Sequence, residues 1–368
     1  MSDLAPSTIE TLQDELLLEI LGFLSFRDLC RFRQVTRRMW LLSQDKDFWK
    51  KIKISATVLP GHLMQDMMIF DVKYLSIPCC TIKPLNPSFL EGHESNLIHL
   101  NIACCDGNDE LLSDLVAASK SLKMLDLSMS KNKLVSMCVE KIPMENALTA
   151  INLGLMGTRV VANELNRLDF NSIKLVVDKC RNLTDLVLHD THLSFQSIAY
   201  VCNNLTNKML RLDFCSERVM DDHVIALANQ CKNLEYLNLS DTWVSYSVLS
   251  EIVQAWSGTL MDLSLPQEIG LDIGLDEDDT DETNLESLKT MIGSLPKLKY
   301  LHIGTWLGNL LPFDIRGIVY VEEKKHIEKL KKLLPGLTIN LNPFSENSPA
   351  KTNPLYQIMK MEEGYIEY

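Results

Sequence analysis

The apolar residues of this chain recur in one short pattern, L-x-x-L-x-L, whose leucine positions also accept Ile, Val, Met or Phe. It fits at Val72/Leu75/Ile77, Leu97/Leu100/Ile102, Leu122/Leu125/Leu127, Leu148/Ile151/Leu153 and Leu183/Leu186/Leu188. It fits again at Met209/Leu212/Phe214, Leu234/Leu237/Leu239, Leu260/Leu263/Leu265 and Leu298/Leu301/Ile303. Successive starts lie 25, 25, 26, 35, 26, 25, 26 and 38 residues apart. Such a period marks stacked repeat units, none of which can bury its apolar side alone. The last two apolar residues of each unit are two positions apart, so they point to one side of a strand. The residues between strands carry helical spacing, as from Asp222 to Cys231, which predicts a helix in each unit. The expected architecture is α/β: a curved solenoid of parallel strands with the sheet on its concave face. The two long steps predict insertions, one between Met156 and Asn171 and one across residues 268–286.

Ahead of the repeat the pattern changes. Leu16, Leu17, Ile20, Leu21 and Leu24 recur at helical spacing and are expected to share a face. Ser25 opens S-F-R-D, which resembles a capping box with Asp28 at the position of the usual Glu. A second helix follows with Leu29, Phe32 and Val35, and Trp40, Leu41, Phe48 and Trp49 close the segment.

This ordered run, L-Q-D-E-L-L-L-E-I-L-G-F-L through D-F-W-K-K-I, resembles an F-box, a short helical module. With the repeats behind it, the chain resembles the F-box/leucine-rich-repeat family over nearly all its length. The resemblance implies a three-helix F-box at residues 10–52, a leucine-rich-repeat domain of about nine repeats plus a terminal strand at 53–344, and a tail at 345–368. It also implies binding to the adaptor protein of SCF ubiquitin ligases and, through it, to cullin and RING subunits. The residues that match the module's binding surface are Leu12, Leu16, Leu17, Ile20, Leu21, Leu24, Leu29, Val35, Trp40 and Trp49. The chain departs from the family at Gln13 and Phe26, where Pro is usual, at Thr36, where Cys is usual, and at Met39, where Trp is usual.

Composition narrows the partners. Net charge is −13 over 368 residues, and residues 268–286 hold nine acids and no base. Without that stretch the chain is near −4. It has no basic footprint for nucleic acid. The acidic run lacks the spacing of a calcium loop and reads as a solvated segment. Residues 324–332 form the main basic cluster, on an expected repeat helix, with a nuclear import signal as the sharper alternative. No export signal and no apolar run long enough for a membrane is expected, which points to cytoplasm or nucleus and reduced thiols. There are ten cysteines and no C-x-x-C pair. Cys79-Cys80 and Cys104-Cys105 are separated by one repeat period, so they read as repeat positions and no metal or other cofactor is expected. No phosphate loop, nucleotide loop, nucleophile elbow or zinc motif occurs, so no catalytic residue is assigned.

The strand residues between the inward apolars are expected to face a protein substrate. Tyr and Trp are the expected anchors, because binding energy concentrates in them. The candidates are Arg211, Asp213, Tyr236, Asn238, Trp243, Asp262, Tyr300, His302 and Trp306. Arg211 is the one fixed cation in these columns, which suits a phosphorylated ligand poorly. The apolar tail at 345–368 is expected to lie along the same face. The sequence therefore reads as a non-catalytic substrate-recognition adaptor. The rival reading is a leucine-rich scaffold or inhibitor acting outside any ligase.

Overall fold

A computed structural model of the chain describes residues 9–60, 64, 71–83, 94–155, 168–266, 289–303, 328, 331–332 and 334–339. The acidic stretch, Trp306, most of the basic cluster and the tail lie outside these residues. The chain divides into two compact units, residues 1–122 and 123–368.

The first unit opens with a single 3-10 turn, Ile9–Thr11, and four short helices: α1 (Asp14–Gly22), α2 (Phe26–Phe32), α3 (Arg37–Leu42) and α4 (Lys46–Trp49). The expected three helices are thus four. Small polar residues start each of the last three: Ser25, Thr36 and Asp45 accept from backbone N–H groups at the head of α2, α3 and α4. The sheet begins at once, with β1 (Lys51–Lys53), followed by β2 (Val58–Leu59), β3 (Tyr74–Ser76), β4 (Thr81–Ile82) and β5 (His99–Asn101). β1, β3 and β5 pair in parallel, with Ile52 beside Leu75 and Leu75 beside Leu100. β2 and β4 form a second parallel pair. The unit closes with helix α5 (Asp109–Ala118).

The second unit repeats strand and helix. Strands β6 (Met124–Asp126), β7 (Ala150–Asn152), β8 (Asp185–Val187), β9 (Arg211–Asp213), β10 (Tyr236–Asn238), β11 (Asp262–Leu265), β12 (Tyr300–Ile303) and β13 (Thr338–Ile339) stand in chain order, each parallel to the next. Helices α6 (Asn132–Lys141), α7 (Phe170–Lys179), α8 (Phe195–Asn204), α9 (Asp221–Gln230) and α10 (Val248–Trp256) fall between strands. α9 is the helix expected from Asp222 to Cys231, and Cys231 is its C-cap. α7 starts at Phe170, one residue inside the stretch expected to be an insertion.

The repeat leucines form the core. Every pattern residue whose side chain is described is at most 6% exposed. Pairs of leucines from neighbouring strands therefore stack on one another along the sheet, and their burial drives the stacking of units. The stack also has an earlier rung than the pattern search found. Trp49, Ile52 and Ile54 repeat the spacing, Ile52 is fully buried, and it pairs with Leu75.

A left-handed residue closes seven of the rungs. Ala56, Cys79, Cys104, Met129, Asp190, Ser216 and Asp241 all have φ between 48° and 61°. Each lies five residues after the start of its rung's strand, where the chain turns away from the sheet. Non-glycine residues accept this strained conformation because the ladder continues through it: Cys79 N–H donates to Ala103 O, and Asp190 N–H to Cys215 O.

Candidate adaptor and partner surfaces

The five apolar residues expected on the first helix do not share one face. Leu17 and Leu21 are buried, at 0% and 1% exposure, while Leu16 and Ile20 are 47% and 40% exposed. Leu24, just past the helix, is half-buried, and so is Leu12 before it. The helix therefore has two apolar stripes. Leu17 and Leu21 point to the module's interior. Leu16, Ile20 and Phe23, spaced i, i+4 and i+7, form a stripe facing solvent, with Phe23 85% exposed.

The interior is completed by Leu29, Met39 and Trp49, none more than 3% exposed. Trp49 is its centre. Its Nε1–H donates to Ser43 O at 2.7 Å, and the Phe26 ring meets it edge-on with centroids 5.5 Å apart. The Arg33 guanidinium lies 5.2 Å from its ring centre. Leu17, Leu21, Leu29 and Trp49 thus lie in the module's interior as described, and hold it together. Leu16, Ile20, Val35 and Trp40 remain available; Val35 is 68% and Trp40 41% exposed.

Three of the four departures from the family acquire a local reason. Phe26 replaces a proline and packs on Trp49. Thr36 caps α3 through a hydrogen bond from Met39 N–H at 3.2 Å. Met39 takes the inward position, which turns Trp40 outward. At the fourth, Gln13 is the N-cap of α1 but makes no side-chain cap. Arg38 serves that helix end instead: its guanidinium donates to Leu12 O at 2.6 Å and to the Asp14 carboxylate at 2.9 Å. Arg38 was not singled out from the sequence; the only signal was a base 24 residues from Asp14.

The strand candidates separate in a similar way. Asp213 and Asn238 are 4% and 0% exposed. Each accepts the N–H two residues on, Asp213 from Cys215 at 2.9 Å and Asn238 from Ser240 at 3.0 Å. Asn101, Asp126 and Asn152 do the same for Ala103, Ser128 and Gly154. This is a ladder of side chains standing in for backbone acceptors where the chain leaves each strand. Burial pushes the Asp126 and Asp213 carboxyls above the usual carboxylate range, against the hydrogen bonds they accept. His302, Asp262 and Tyr236 are also buried, at 2%, 4% and 8%. As described, Asp213, Asn238, His302, Asp262 and Tyr236 present almost no area to a partner.

Arg211 keeps a partly open side chain, 27% exposed, but its charge is already shared. It pairs with the Asp185 carboxylate through two nitrogens and stands 3.7 Å from Glu235. Tyr300 is half-buried. Trp243 is the open one, at 58%. Its backbone N–H donates to Val219 O, its ring lies 5.9 Å from Phe195, and Arg218 stands 5.6 Å from its centre. Phe195, at the head of α8, and Arg218 were missed by reading strand columns, because both lie in the connections.

Among the described residues, no helix is long and apolar enough to cross a membrane. No curated protein matches the chain. Residues 9–55, which hold α1 to α4 and β1, match the F-box-like family model, so the chain carries an F-box-like domain.

Proposed function

We propose that the protein is the substrate-receptor subunit of an SCF-type ubiquitin ligase, bound to the ligase adaptor through its F-box-like domain. The match of residues 9–55 carries this reading. The outward stripe of Leu16, Ile20 and Phe23, with Trp40 and Val35, is the surface that suits an apolar partner groove. The adaptor joins the receptor to cullin and RING subunits. The receptor contributes no chemistry of its own. It holds a substrate lysine near ubiquitin charged on another subunit, and that proximity is its share of catalysis.

The strand–helix units are read here as leucine-rich repeats that hold a protein substrate. The period of 25 or 26 residues and the parallel, leucine-lined strands support this. The segment 326–344 is similar to the last helix and strand of the S-phase kinase-associated F-box protein, which favours that subfamily. Trp243 with Phe195, and Arg211 with Tyr300, are the accessible parts of the proposed substrate surface. Trp306, outside the described residues, belongs to this surface by its place in the sequence alone.

The test is adaptor capture by the tagged full chain. Ile20→Asp places a charge on the outward stripe while leaving Leu17 and Leu21 in place. Loss of adaptor and cullin with unchanged circular dichroism supports the reading. Undiminished capture by Leu16→Asp/Ile20→Asp overturns it and leaves the scaffold reading.

A further inference from the structure

The two double cysteines of the first unit stand opposite one another across neighbouring rungs. β3 and β5 are paired with a constant offset of 25 residues, from Tyr74 beside His99 to Ser76 beside Asn101. The same offset returns further along, where Thr81 bridges Asp106. Between these points three bonds cross from rung to rung: Ile77 N–H donates to Asn101 O, Cys79 N–H to Ala103 O and Asp106 N–H to Cys80 O. Cys79 is therefore level with Cys104, and Cys80 with Cys105.

The two levels behave differently. Cys80 and Cys105 are buried, at 1% and 4% exposure. Their thiols are turned to the rung before, towards Ile54 O at 3.8 Å and Ile77 O at 2.9 Å. Burial pushes the Cys105 thiol up to about 12, so neither a thiolate nor a reagent is at hand there. Cys79 is exposed and Cys104 half-buried. Both are left-handed residues, with φ of 55° and 53°, so their side chains leave the backbone in the same direction from adjacent rungs. Neighbouring parallel strands run roughly 4.8 Å apart, which falls inside the Cα separation of about 4.4–6.8 Å that a disulfide accepts. The equivalent residue one rung earlier is Ala56, so the thiols form a pair and no longer row.

We propose that Cys79 and Cys104 are a thiol pair oxidised reversibly to a disulfide that joins two successive rungs, with glutathione disulfide as the oxidant. The Cys79 thiolate, the more accessible of the two, attacks one sulfur of glutathione disulfide and expels a glutathione thiolate. The Cys104 thiolate then attacks Cys79 Sγ and expels the second. Two protein thiols lose two protons and two electrons, and one glutathione disulfide becomes two glutathiones. Excess glutathione runs the sequence backwards.

The test incubates the full chain with glutathione disulfide and reads intact mass and non-reduced peptide maps. The expected product has lost two hydrogens, carries no glutathione, and yields one linked peptide pair joining Cys79 to Cys104. Cys79→Ser and Cys104→Ser should each abolish that link, whereas Cys30→Ser should keep it. The wild-type map alone decides the matter if a serine variant folds poorly. Stable glutathione adducts on Cys79 or Cys104, a link to Cys30 or Cys80, or no loss of thiols after equilibration would each overturn the proposal.

Discussion

Glu217 Oε1 stands 2.9 Å from Thr191 Oγ1, and that hydroxyl is also 2.8 Å from Leu188 O. The single threonine proton is shared between these two acceptors, while Glu217 Oε2 accepts Leu193 N–H at 2.8 Å. Burial holds the Glu217 carboxyl up at about 8 against an ordinary 4.5; Asp190 adds to the rise, and the hydrogen bonds from Thr191, Leu193 and His192 oppose it. A group whose pKa is higher folded than unfolded gives stability that is complete below the unfolded value and lost as pH rises through the folded one. Stability should therefore fall between pH 4.5 and about 8, by on the order of 5 kcal/mol from this group. Glu217→Gln copies the protonated form, its amide donating to Thr191 and its carbonyl accepting from Leu193. Chemical denaturation across that range should show a drop for the natural chain and a flatter curve for the variant. Parallel curves would show that Glu217 is ionised throughout.

Asn238→Ala should cost about 1–3 kcal/mol, because it leaves the buried Ser240 N–H without its acceptor. Asn238→Asp keeps the acceptor and should cost less at low pH than at neutral pH. Urea midpoints of the two variants at both pH values check this. Equal losses would show that the amide nitrogen matters more than the oxygen.

Much of this was legible because burial and spacing are the same information. Leu186, Leu212 and Leu237 are read correctly from the pattern because a strand's two-residue alternation leaves them one direction to point. Trp49 was legible only in part. It satisfies the helical module and the first rung at once, and a motif search assigns a residue to one of them. Leu16 and Leu17 were merged because adjacent helix positions are only about 100° apart, within one broad apolar stripe. What separates them is which side of α1 turns inward, and only Leu17 and Leu21 lie on it. The Asn and Asp residues of the second column showed their polarity but not their burial. Their partners are backbone N–H groups two residues on, which every residue but proline possesses and no sequence marks. The salt bridge of Arg211 with Asp185 spans 26 residues and depends on the register between strands.

Gly107→Ala should unfold the third rung. Gly107 has φ of 110°, and a Cβ there would lie 2.3 Å from Ile82 O and 3.1 Å from Ile82 N. Both clashes are with backbone, which no rotamer change relieves. Faster amide exchange at Ile82 and Asp106 than elsewhere in the unit is the expected result, with a lowered melting temperature. Unchanged protection at both amides would count against so close an approach.

Trp49→Ala and Trp40→Ala should separate the module's interior from its surface. Trp49 is fully buried, takes the edge of Phe26 and donates to Ser43 O, so its removal opens a cavity and strands a carbonyl. The expected loss is roughly 3–5 kcal/mol. Because only Lys50 separates Trp49 from β1, the loss should spread to the first rung and weaken amide protection from Ile52 to Ile54. Trp40 is 41% exposed and makes no such bond through its ring. Trp40→Ala should change unfolding by only about 0.5 kcal/mol, yet weaken adaptor capture if the proposed stripe is the contact. Similar unfolding curves for the two variants would show that Trp49 does not hold the module together.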